Sequence, residues 1–444
     1  MINKNSAPEN VSDFILKSVI IESDRSPTKV DISRITTDVV IFEHLTKAYL
    51  TGSLVFVDSA GLMSKLNIDG GERVEITILS TRKDAIPIIK RFVITMVYNV
   101  IKTSDHTEVI SLQLLEDHGF HSHALNVNKA YTDTPANIIA KISKDFLDKD
   151  VELSKDNFQS KIRVIVPNYD PIHAMSWVKD IATNKSGFPY FLFSSLFNSS
   201  LKFFDLETLI TSKVMNSKYP YRYWQANSRV DNATIQRRTI TAFKYENVDD
   251  LFTLIGNGVI GAEYSYLNTL SGVNQSFKFD VVNDVLNDLH SNILDKKQNI
   301  PLYASQLKYE DTLLNQLNSR KFTQIGGAGV YDIGGSRINS YNEASSLGEY
   351  KKKVVAKSLI SFLSKSPISV AVNGLDFIDG EGNTTIGNNI RLEFLLSEVD
   401  PKTNMNKIDH KKSGNYLIYG ARHVFKNERY DVYLSCAKLA NPAG

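Results

Sequence analysis

The sequence has 444 residues, of which 42% are hydrophobic and 23% are charged, and it contains one cysteine, Cys436. This length and composition predict a globular chain of about two to four domains, and a single cysteine excludes an internal disulfide framework and a multi-cysteine zinc site. The net charge is only +2, because the chain has 51 basic and 49 acidic side chains. This balance disfavours a protein that holds nucleic acid by neutralising many phosphates, but it allows a pore through which DNA slides.

Neither a signal peptide nor a membrane span is expected. The first residues, MINKNSAPENVSDF, are polar and lack an apolar segment. No apolar run approaches the roughly 18 residues that a membrane span needs. We therefore expect a protein that is made and assembled in a cytoplasm, without membrane insertion.

Residues 1–125 alternate between apolar and polar side chains, which is typical of half-buried strands. The alternating positions that we expect to share a face within each strand are Val74, Ile76 and Ile78; Phe92, Ile94, Met96 and Tyr98; and Ile110, Leu112 and Leu114. FILKSVIIES and KAYLTGSLVFVD also predict strands. Five or more antiparallel strands in about 125 residues favour a β-barrel or a sandwich.

Helices are predicted in the middle section, residues 126–234. Thr134-Pro135 and Asp170-Pro171 each combine a capping side chain with a proline suited to the first helical position. The apolar positions that these helices should bury are Ile138, Ile139, Ile142 and Phe146 in the first, and Trp177, Val178 and Ile181 in the second. The aromatic strand GFPYFLFSS follows. This section predicts a small mixed α/β connector domain.

The rest of the chain predicts a second β-rich domain with an insertion. We expect residues 235–278 and 355–444 to form the domain, and residues 279–354 to form a helical and loop insertion. EYKKKVVAKSLISFLSKSP predicts a helix that ends at Pro367. Strands are predicted for ISVAVNG, NIRLEFLL, NYLIYGARHVFK and RYDVYLSCAKL.

The two β-rich regions follow the same order. In each, a glycine-rich turn precedes an alternating strand, a long strand, a polar turn and a final strand. The matching segments are GGERVEITIL with KRFVITMVYNVIKTSDHTEVISLQLLE, and GNNIRLEFLL with GNYLIYGARHVFKNERYDVYLSCAKL. This order predicts an internal duplication, although β meanders also resemble one another by chance. The predicted fold is mainly β with α/β inserts (α+β), with two antiparallel β-barrels related by duplication.

No pattern of residues predicts catalysis. The sequence lacks HExxH, GxxxxGK[ST] and GxSxG motifs, and paired carboxylates of a glycoside hydrolase cannot be recognised by spacing alone. The tract GGAGVYDIGGS lacks the strand and helix that flank a phosphate loop, so it predicts a flexible loop.

Two segments were considered as metal sites. HGFHSH, in which His121 and His123 would share a strand face, has no further ligand at metal-binding spacing. LDFIDGEGN departs from the ligand order of an EF-hand and predicts a hairpin turn. The sequence therefore predicts no catalytic residue, no metal and no cofactor.

A duplicated β-barrel with an α/β connector resembles the central baseplate hub proteins of contractile, T-even-like phages, and more distantly the VgrG-type hubs of type VI secretion. The likeness is carried by NYDPIHAMSWVKDIATNKSGFPYFLFSSLFNSSLKFFDLETLI and by the strands from GNNIRLEFLL to the last one. The insertion at 279–354 is longer than the family core requires. No oligonucleotide-binding domain or β-helix of a fused spike follows the last strand.

The resemblance implies a structural virion protein and not an enzyme. Three chains would form a homotrimeric ring of six barrels, similar to those of tail-tube proteins, with pseudo-six-fold symmetry. This ring in the tail baseplate would join a separate three-fold spike protein to the six-fold tail tube and contact other baseplate proteins. DNA would pass through its lumen without specific binding.

Interfaces are expected where a strand is apolar on both faces or where aromatic residues cluster. SLVFVDS and YLIYG show the first pattern and KYPYRYWQ the second. The interface candidates are Val55, Val57, Tyr219, Tyr221, Tyr223, Trp224, Ile418 and Tyr419.

Two other functions stay open at this point. One is a tail-associated cell-wall hydrolase on a β-rich scaffold. The other is a receptor-binding tail protein, in which the aromatic residues of KYPYRYWQ would stack on sugars.

Overall fold

The computed structural model has a mainly antiparallel β fold, as the alternation of the sequence predicts. It describes residues 13–25, 29–82, 85–154, 161–216, 219–223, 237–245, 251–268, 272, 274–286, 298–299, 308–316, 320–326, 332–333, 336–337, 347–365, 367–378, 385–399, 406–409, 412–438 and 441–442.

The N-terminal section of the fold contains the strands β1 (Phe14–Glu22), β2 (Lys29–Asp31), β3 (Thr36–His44), β4 (Thr51–Asp58), β5 (Arg73–Ser80), β6 (Ile88–Ser104) and β7 (Thr107–Glu116), with the helices α1 (Leu62–Leu66) and α2 (Asp117–His123). The central section contains β8 (Ala130–Asp133), α3 (Pro135–Leu147), β9 (Val151–Leu153), β10 (Ile162–Ile165), α4 (Pro171–Ile181), β11 (Tyr190–Phe193), β12 (Leu201–Asp205) and α5 (Leu206–Thr211).

The C-terminal section begins with β13 (Tyr221–Tyr223), β14 (Thr239–Ile240), β15 (Ala242–Tyr245), α6 (Leu251–Gly256), β16 (Gly261–Asn268), β17 (Asn274–Asp280) and a π-helical turn, Val282–Leu286. Short elements follow: β18 (Gln298–Asn299), β19 (Lys308–Tyr309), β20 (Thr312–Leu313), a 3-10 turn (Leu314–Gln316), β21 (Lys321–Gly326), β22 (Asp332–Ile333) and β23 (Ser336–Arg337). The section ends with α7 (Leu347–Lys365), β24 (Pro367–Asn373), α8 (Leu375–Ile378), β25 (Asn389–Glu393), β26 (Leu395–Val399), β27 (Asn406–Ile408), β28 (Gly414–Lys426), β29 (Arg429–Ala437) and β30 (Asn441–Pro442).

One sheet of 14 strands dominates the fold. Its N-terminal series follows the order β2-β1-β5-β6-β7-β4-β3, with every pair antiparallel. Its C-terminal series follows the order β14-β13-β25-β28-β29-β24-β15, in which β13 is parallel to both of its neighbours and the other pairs are antiparallel. The two series are joined where β3 pairs with β28. Across the described strands, the pairing does not close into a barrel.

The central section has its own core. Helices α3 and α4 pack their buried faces together with strands β11 and β12, and this cluster extends from Val127 to Phe203. Strands β16, β17 and β21 form a further three-stranded sheet, in which β16 is antiparallel to β17 and parallel to β21. The connector strands and this sheet thus lie outside the two series of the main sheet.

Most local predictions about helix starts and buried strand faces are confirmed. Thr134 and Asp170 cap α3 and α4 by accepting hydrogen bonds from the N–H groups of Asn137 and His173, at 3.4 and 3.0 Å. Pro135 and Pro171 occupy the first positions of these helices. The buried positions of β5, β7 and β29 include Val74, Ile76, Ile78, Ile110, Leu112, Leu114, Tyr430, Val432 and Leu434.

Two local predictions are wrong. Met96 and Tyr98 do not share the buried face of Phe92 and Ile94, because β6 contains register shifts after Ile94 and after Val97. Met96 thus lies opposite the exposed Gln113, and Met96 and Tyr98 are 43% and 67% exposed. HGFHSH forms the helix α2 and not a strand. Most of GGAGVYDIGGS and the segment 379–384 lie outside the described residues.

Tyr430 is closely packed in the apolar core of the C-terminal series. Its ring stacks on Phe425 with 4.3 Å between centroids and an interplanar angle of 5°, and both side chains are buried. Gly374 lies against this ring, and a Cβ atom at that position would be 2.3 Å from Cε1 of Tyr430. The position therefore requires glycine, because no room remains for a methyl group.

Gly374→Ala should destabilise the protein by about 1–3 kcal/mol, since the added methyl group forces a packed aromatic ring to move. The matched control is Gly256→Ala at the end of α6, where a Cβ atom would meet nothing within 4 Å. The free energy of unfolding in urea measures both variants. Equal stabilities would contradict the packing around Tyr430.

Candidate assembly site

Two buried carboxylates lie where the N-terminal series, the C-terminal series and the connector meet. Glu43 belongs to β3 and Glu116 ends β7, and each is 3% exposed. Both hold the segment Ser194–Asn198, which directly follows strand β11 of the connector. We call the two carboxylates, their partners and this segment the joint.

Glu43 connects all three parts of the chain. Its carboxylate accepts hydrogen bonds from Nε2 of His423 at 3.1 Å and from the N–H groups of Leu196 at 2.8 Å and Ile386 at 3.4 Å. The His423 ring also forms a 2.7 Å hydrogen bond with the Tyr430 hydroxyl. Each oxygen of Glu43 thus already has a donor from within the chain, and the buried pair supports structure.

Glu116 forms the second half of the joint. It accepts hydrogen bonds from the N–H group of Leu50 at 2.8 Å and from the Ser194 hydroxyl at 2.9 Å. Lys90 lies 3.5 Å from its other oxygen and donates to the carbonyl oxygens of Ser195 and Asn198 at 2.7 and 2.6 Å. His118, from the helix α2, approaches the same oxygen to 3.7 Å.

The electrostatics of the joint favour ionised carboxylates. Burial alone would raise the pKa of Glu43, but His423 and the two N–H donors offset this effect, and the net pKa is lowered. Burial also opposes ionisation of Glu116, whose pKa is nevertheless lowered by His118, Lys90 and its hydrogen-bond donors. Desolvation lowers the pKa of His118 and of Lys90.

The second notable feature is the free part of strand β6. From Ile88 to Val93 the strand pairs with β5 on one edge, and from Phe92 onward it pairs with β7 on the other. From Met96 onward, the described strands pair with it only through β7. The large apolar side chains exposed along this part are Met96 (43%), Tyr98 (67%), Val100 (47%) and Ile101 (51%). Apolar side chains beside an unpaired strand edge are typical of a surface that another strand covers.

The predicted interface residues lie on several strands of the main sheet. Val55 and Val57 are half-buried on β4. Ile418, on β28, is fully buried within the single chain, so it belongs to the core of the chain and offers no surface to a partner. Its neighbour Tyr419 is half-buried, and its ring meets His44 edge to face at 5.5 Å.

The aromatic segment is divided between core and surface. Tyr221 is 2% exposed, and its hydroxyl donates to Asp376. Tyr223 is half-buried and packs edge to face on Phe243 at 4.9 Å. Tyr219 is 43% exposed, and Trp224 lies outside the described residues.

Sequence reasoning missed the joint and the free part of β6. A signal for the joint is present, because Glu43 and His423 interrupt the apolar runs VVIFEHL and GARHVFK. Their pairing across 380 positions becomes visible only in the fold. Within the described ranges, no three His, Cys, Asp or Glu side chains are grouped closely enough to hold a metal ion. No helix among the described residues has the length and apolar character to cross a membrane.

Glu43→Gln should lower the free energy of unfolding by about 1–3 kcal/mol, because the new NH2 group cannot accept a hydrogen bond and leaves a buried donor of Leu196, Ile386 or His423 without its acceptor. The matched control is Asp38→Asn. It breaks the ion pair of Asp38 with the exposed Lys426 on the same two strands and should cost about 0–1 kcal/mol. Urea unfolding at pH 7 measures the free energy of unfolding of both variants. Equal decreases in the two variants would contradict a stabilising role of Glu43 in the joint.

The joint should also make the protein sensitive to acid. Carboxylates with a lowered pKa in the folded state stabilise it above their ordinary value of 4.5, and this contribution is lost as the pH falls through their folded pKa. The lowered pKa of His118 acts in the same direction from its ordinary value of 6.5 downward, because the unfolded state binds the proton more readily. Unfolding midpoints measured from pH 7 to 2 should begin to fall below pH 6.5 and fall further below pH 4.5, and the fall below pH 4.5 should be smaller in Glu43→Gln.

Comparisons with known proteins place this geometry among tail proteins. No protein-family model matches the sequence, and no curated protein matches it either. The tail protein from Neisseria meningitidis MC58 aligns with a TM-score of 0.51 and 13% identity over 95% of this chain and 96% of that chain. The 43 kDa tail protein of prophage MuSo2 from Shewanella oneidensis aligns with a TM-score of 0.50 and 9% identity over 96% of this chain and all of that one.

Both alignments span nearly the full length of both chains, so they compare whole folds and not a shared fragment. At these identities the similarity concerns the fold alone. The resemblance that the sequence implied is therefore confirmed for the fold, which this chain shares with these two tail proteins.

Proposed function

We propose that the protein is a structural hub of a contractile phage-tail baseplate and has no enzymatic activity. The observation that carries this proposal is the pairing of two similar strand series, edge to edge, through β3 and β28. Their central orders, β1-β5-β6-β7-β4-β3 and β13-β25-β28-β29-β24-β15, are similar, except that β1 is antiparallel to β5 whereas β13 is parallel to β25. The full-length similarity to two tail proteins supports the same role.

The two series represent two copies of one barrel-like arrangement, the first from residues 1–125 and the second from 221–245 and 367–437. Strands β16 and β17, within the range 235–278 predicted for the second copy, instead form part of a separate sheet. In both copies a long strand contains a bulge and pairs with two successive strands. The first of three register shifts between β6 and β7 lies between Ile94 and Met96, and the shift between β28 and β29 lies between Ile418 and Gly420. The residues before the bulges, Val93 and Leu417, each pair with a strand on both sides. A shared irregularity at equivalent positions supports duplication more strongly than alternation does.

Three copies of such a chain form a ring with six similar barrels. A ring of this symmetry fits a three-fold spike on one side and a six-fold tail tube on the other. DNA passes through its lumen, and the near-neutral chain, with a net charge of +2, suits a wall that does not retain the genome by counterion release. The protein functions in the virion, with tube, spike and other baseplate proteins as partners.

The buried charges also favour a structural role over catalysis. The carboxylates of the joint are covered, and donors from the chain itself saturate them. An acid or base that acts on an external substrate must reach it within hydrogen-bonding distance. These residues connect three parts of one chain, which is a structural role.

Native mass spectrometry at micromolar concentration should detect a homotrimer of the 49.8 kDa chain. Interfaces of such a ring bury on the order of 2,000 Å² or more, so the trimer should persist on dilution. A chain that stays monomeric, even after its spike and tube partners are added, would refute the proposed hub.

A further inference from the structure

A cavity of about 580 Å³ lies beside the three-stranded sheet of β16, β17 and β21, outside the two series of the main sheet. The residues described along its walls come from β16, β21 and the helix α7. Its volume is within the range of ligand sites in proteins, about 300–1,000 Å³. The cavity is thus a candidate binding site that the proposed hub does not use.

The cavity follows the edge of strand β21. Its wall includes four consecutive residues of this strand, 322–325. Successive side chains of a strand point to opposite faces of the sheet, so contact with all four residues places the cavity at the edge of the strand and not on one face. Among the described strands, only β16 pairs with β21. The cavity therefore lies where a further strand would pair with the second edge of β21.

The opposite wall is one face of α7. The helix residues on this wall follow the i, i+3, i+4, i+7 spacing of a helix face and are Tyr350, Lys353, Val354 and Lys357. Two of them are lysines, and the residues described along the cavity include no acidic side chain. Lys357 is exposed, and its ammonium group lies 5.3 Å from the centre of the Phe322 ring. The wall that faces the edge of β21 is therefore positively charged.

Aromatic rings complete the lining. Tyr264 of β16 is only 3% exposed, and its ring stacks on Phe322 at 5.2 Å and meets Tyr350 edge to face at 5.8 Å. The Tyr264 hydroxyl donates to the carbonyl oxygen of Gly258 at 3.0 Å. Gly258 also packs closely on Phe322, because a Cβ atom at this glycine would be 2.4 Å from Cε2 of the ring. The apolar part of the lining is thus fixed by packing within the chain.

The two faces of β21 offer different surfaces. Phe322 faces α7, since the ammonium group of Lys357 lies over its ring. Ile325 is three residues further along the strand and points to the opposite face, where it is 50% exposed. A strand added to this edge would alternate in the same way, with one set of side chains beside the lysines of α7 and the other set beside Ile325.

We propose that the cavity binds an extended segment of a partner protein in which acidic and apolar residues alternate, and that this segment adds as a strand to the second edge of β21. Pairing of a peptide with an open strand edge is a recurrent mode of recognition, in which backbone hydrogen bonds give affinity and alternate side chains give specificity. The lysines of α7 select acidic residues by charge complementarity, and the exposed Ile325 selects apolar ones.

Fluorescence anisotropy with the full chain and a short labelled peptide of alternating glutamate and valine tests the proposal. The peptide should bind saturably, and its affinity should fall as the salt concentration rises, because salt screens exposed charges. A peptide of alternating lysine and valine has the same backbone but the opposite charge, so it should not bind. Absence of saturable binding by the glutamate peptide, or equal binding of the lysine peptide, would overturn the proposal.

Lys353→Gln combined with Lys357→Gln tests the charged wall. This double variant should bind the glutamate peptide about fivefold more weakly, because two exposed ion pairs are lost. The matched control is Lys351→Gln on the same helix, since the ammonium group of Lys351 lies 5.1 Å from the centre of the Phe277 ring on β17. The control should keep the affinity of the unchanged protein. Equal weakening in the control and the double variant would contradict recognition by this wall.

Hydrogen exchange of the fragment that contains β21 tests the strand addition. The backbone N–H groups on the second edge of β21 should exchange quickly in the free protein and slowly once the glutamate peptide is bound. A glutamate peptide with a methyl group on every backbone nitrogen has no N–H donor for β21, so it should bind much more weakly. Slow exchange without any peptide would show that the chain itself covers this edge and would refute the proposal. Binding that leaves exchange in β21 unchanged would refute it as well.

Discussion

The antiparallel pairing of β3 with β28 is the constraint on which the rest of the structure depends. It joins strands more than 370 residues apart into one sheet and brings Glu43 beside His423 in the interior. A buried carboxylate is costly unless donors surround it. The pairing supplies one donor from β28, and the connector supplies another from Leu196. The position of the connector is therefore coupled to the register of the two strands.

This coupling explains why charged groups occupy the centre of an otherwise apolar region. A purely apolar contact between the sheet and the segment Ser194–Asn198 would tolerate sliding, because the hydrophobic effect has little directionality. Hydrogen bonds from Lys90 to two carbonyl oxygens, and from Ser194 and Leu196 to two carboxylates, define one geometry. This fixed geometry depends on ionised carboxylates, so the stability of the protein depends on pH.

The long strand β6 contains an edge that no described strand pairs after its first bulge. Edge strands that expose apolar side chains are an aggregation hazard in a monomer. In a closed ring every such edge is covered, so the exposed residues of β6 are consistent with the proposed assembly.

The sequence by itself determined the mainly antiparallel β class, the caps of α3 and α4, and the buried faces of β5, β7 and β29, because these features depend on neighbours two to four residues apart. It did not reveal the exposure of Met96 and Tyr98, since the alternation of the sequence does not show the bulges that turn these side chains away from the core. The open pairing of the main sheet, the joint around Glu43 and Glu116, and the burial of Ile418 were decided only by the tertiary structure. They depend on which strands meet across hundreds of residues, and periodicity carries no information about the partner of a strand.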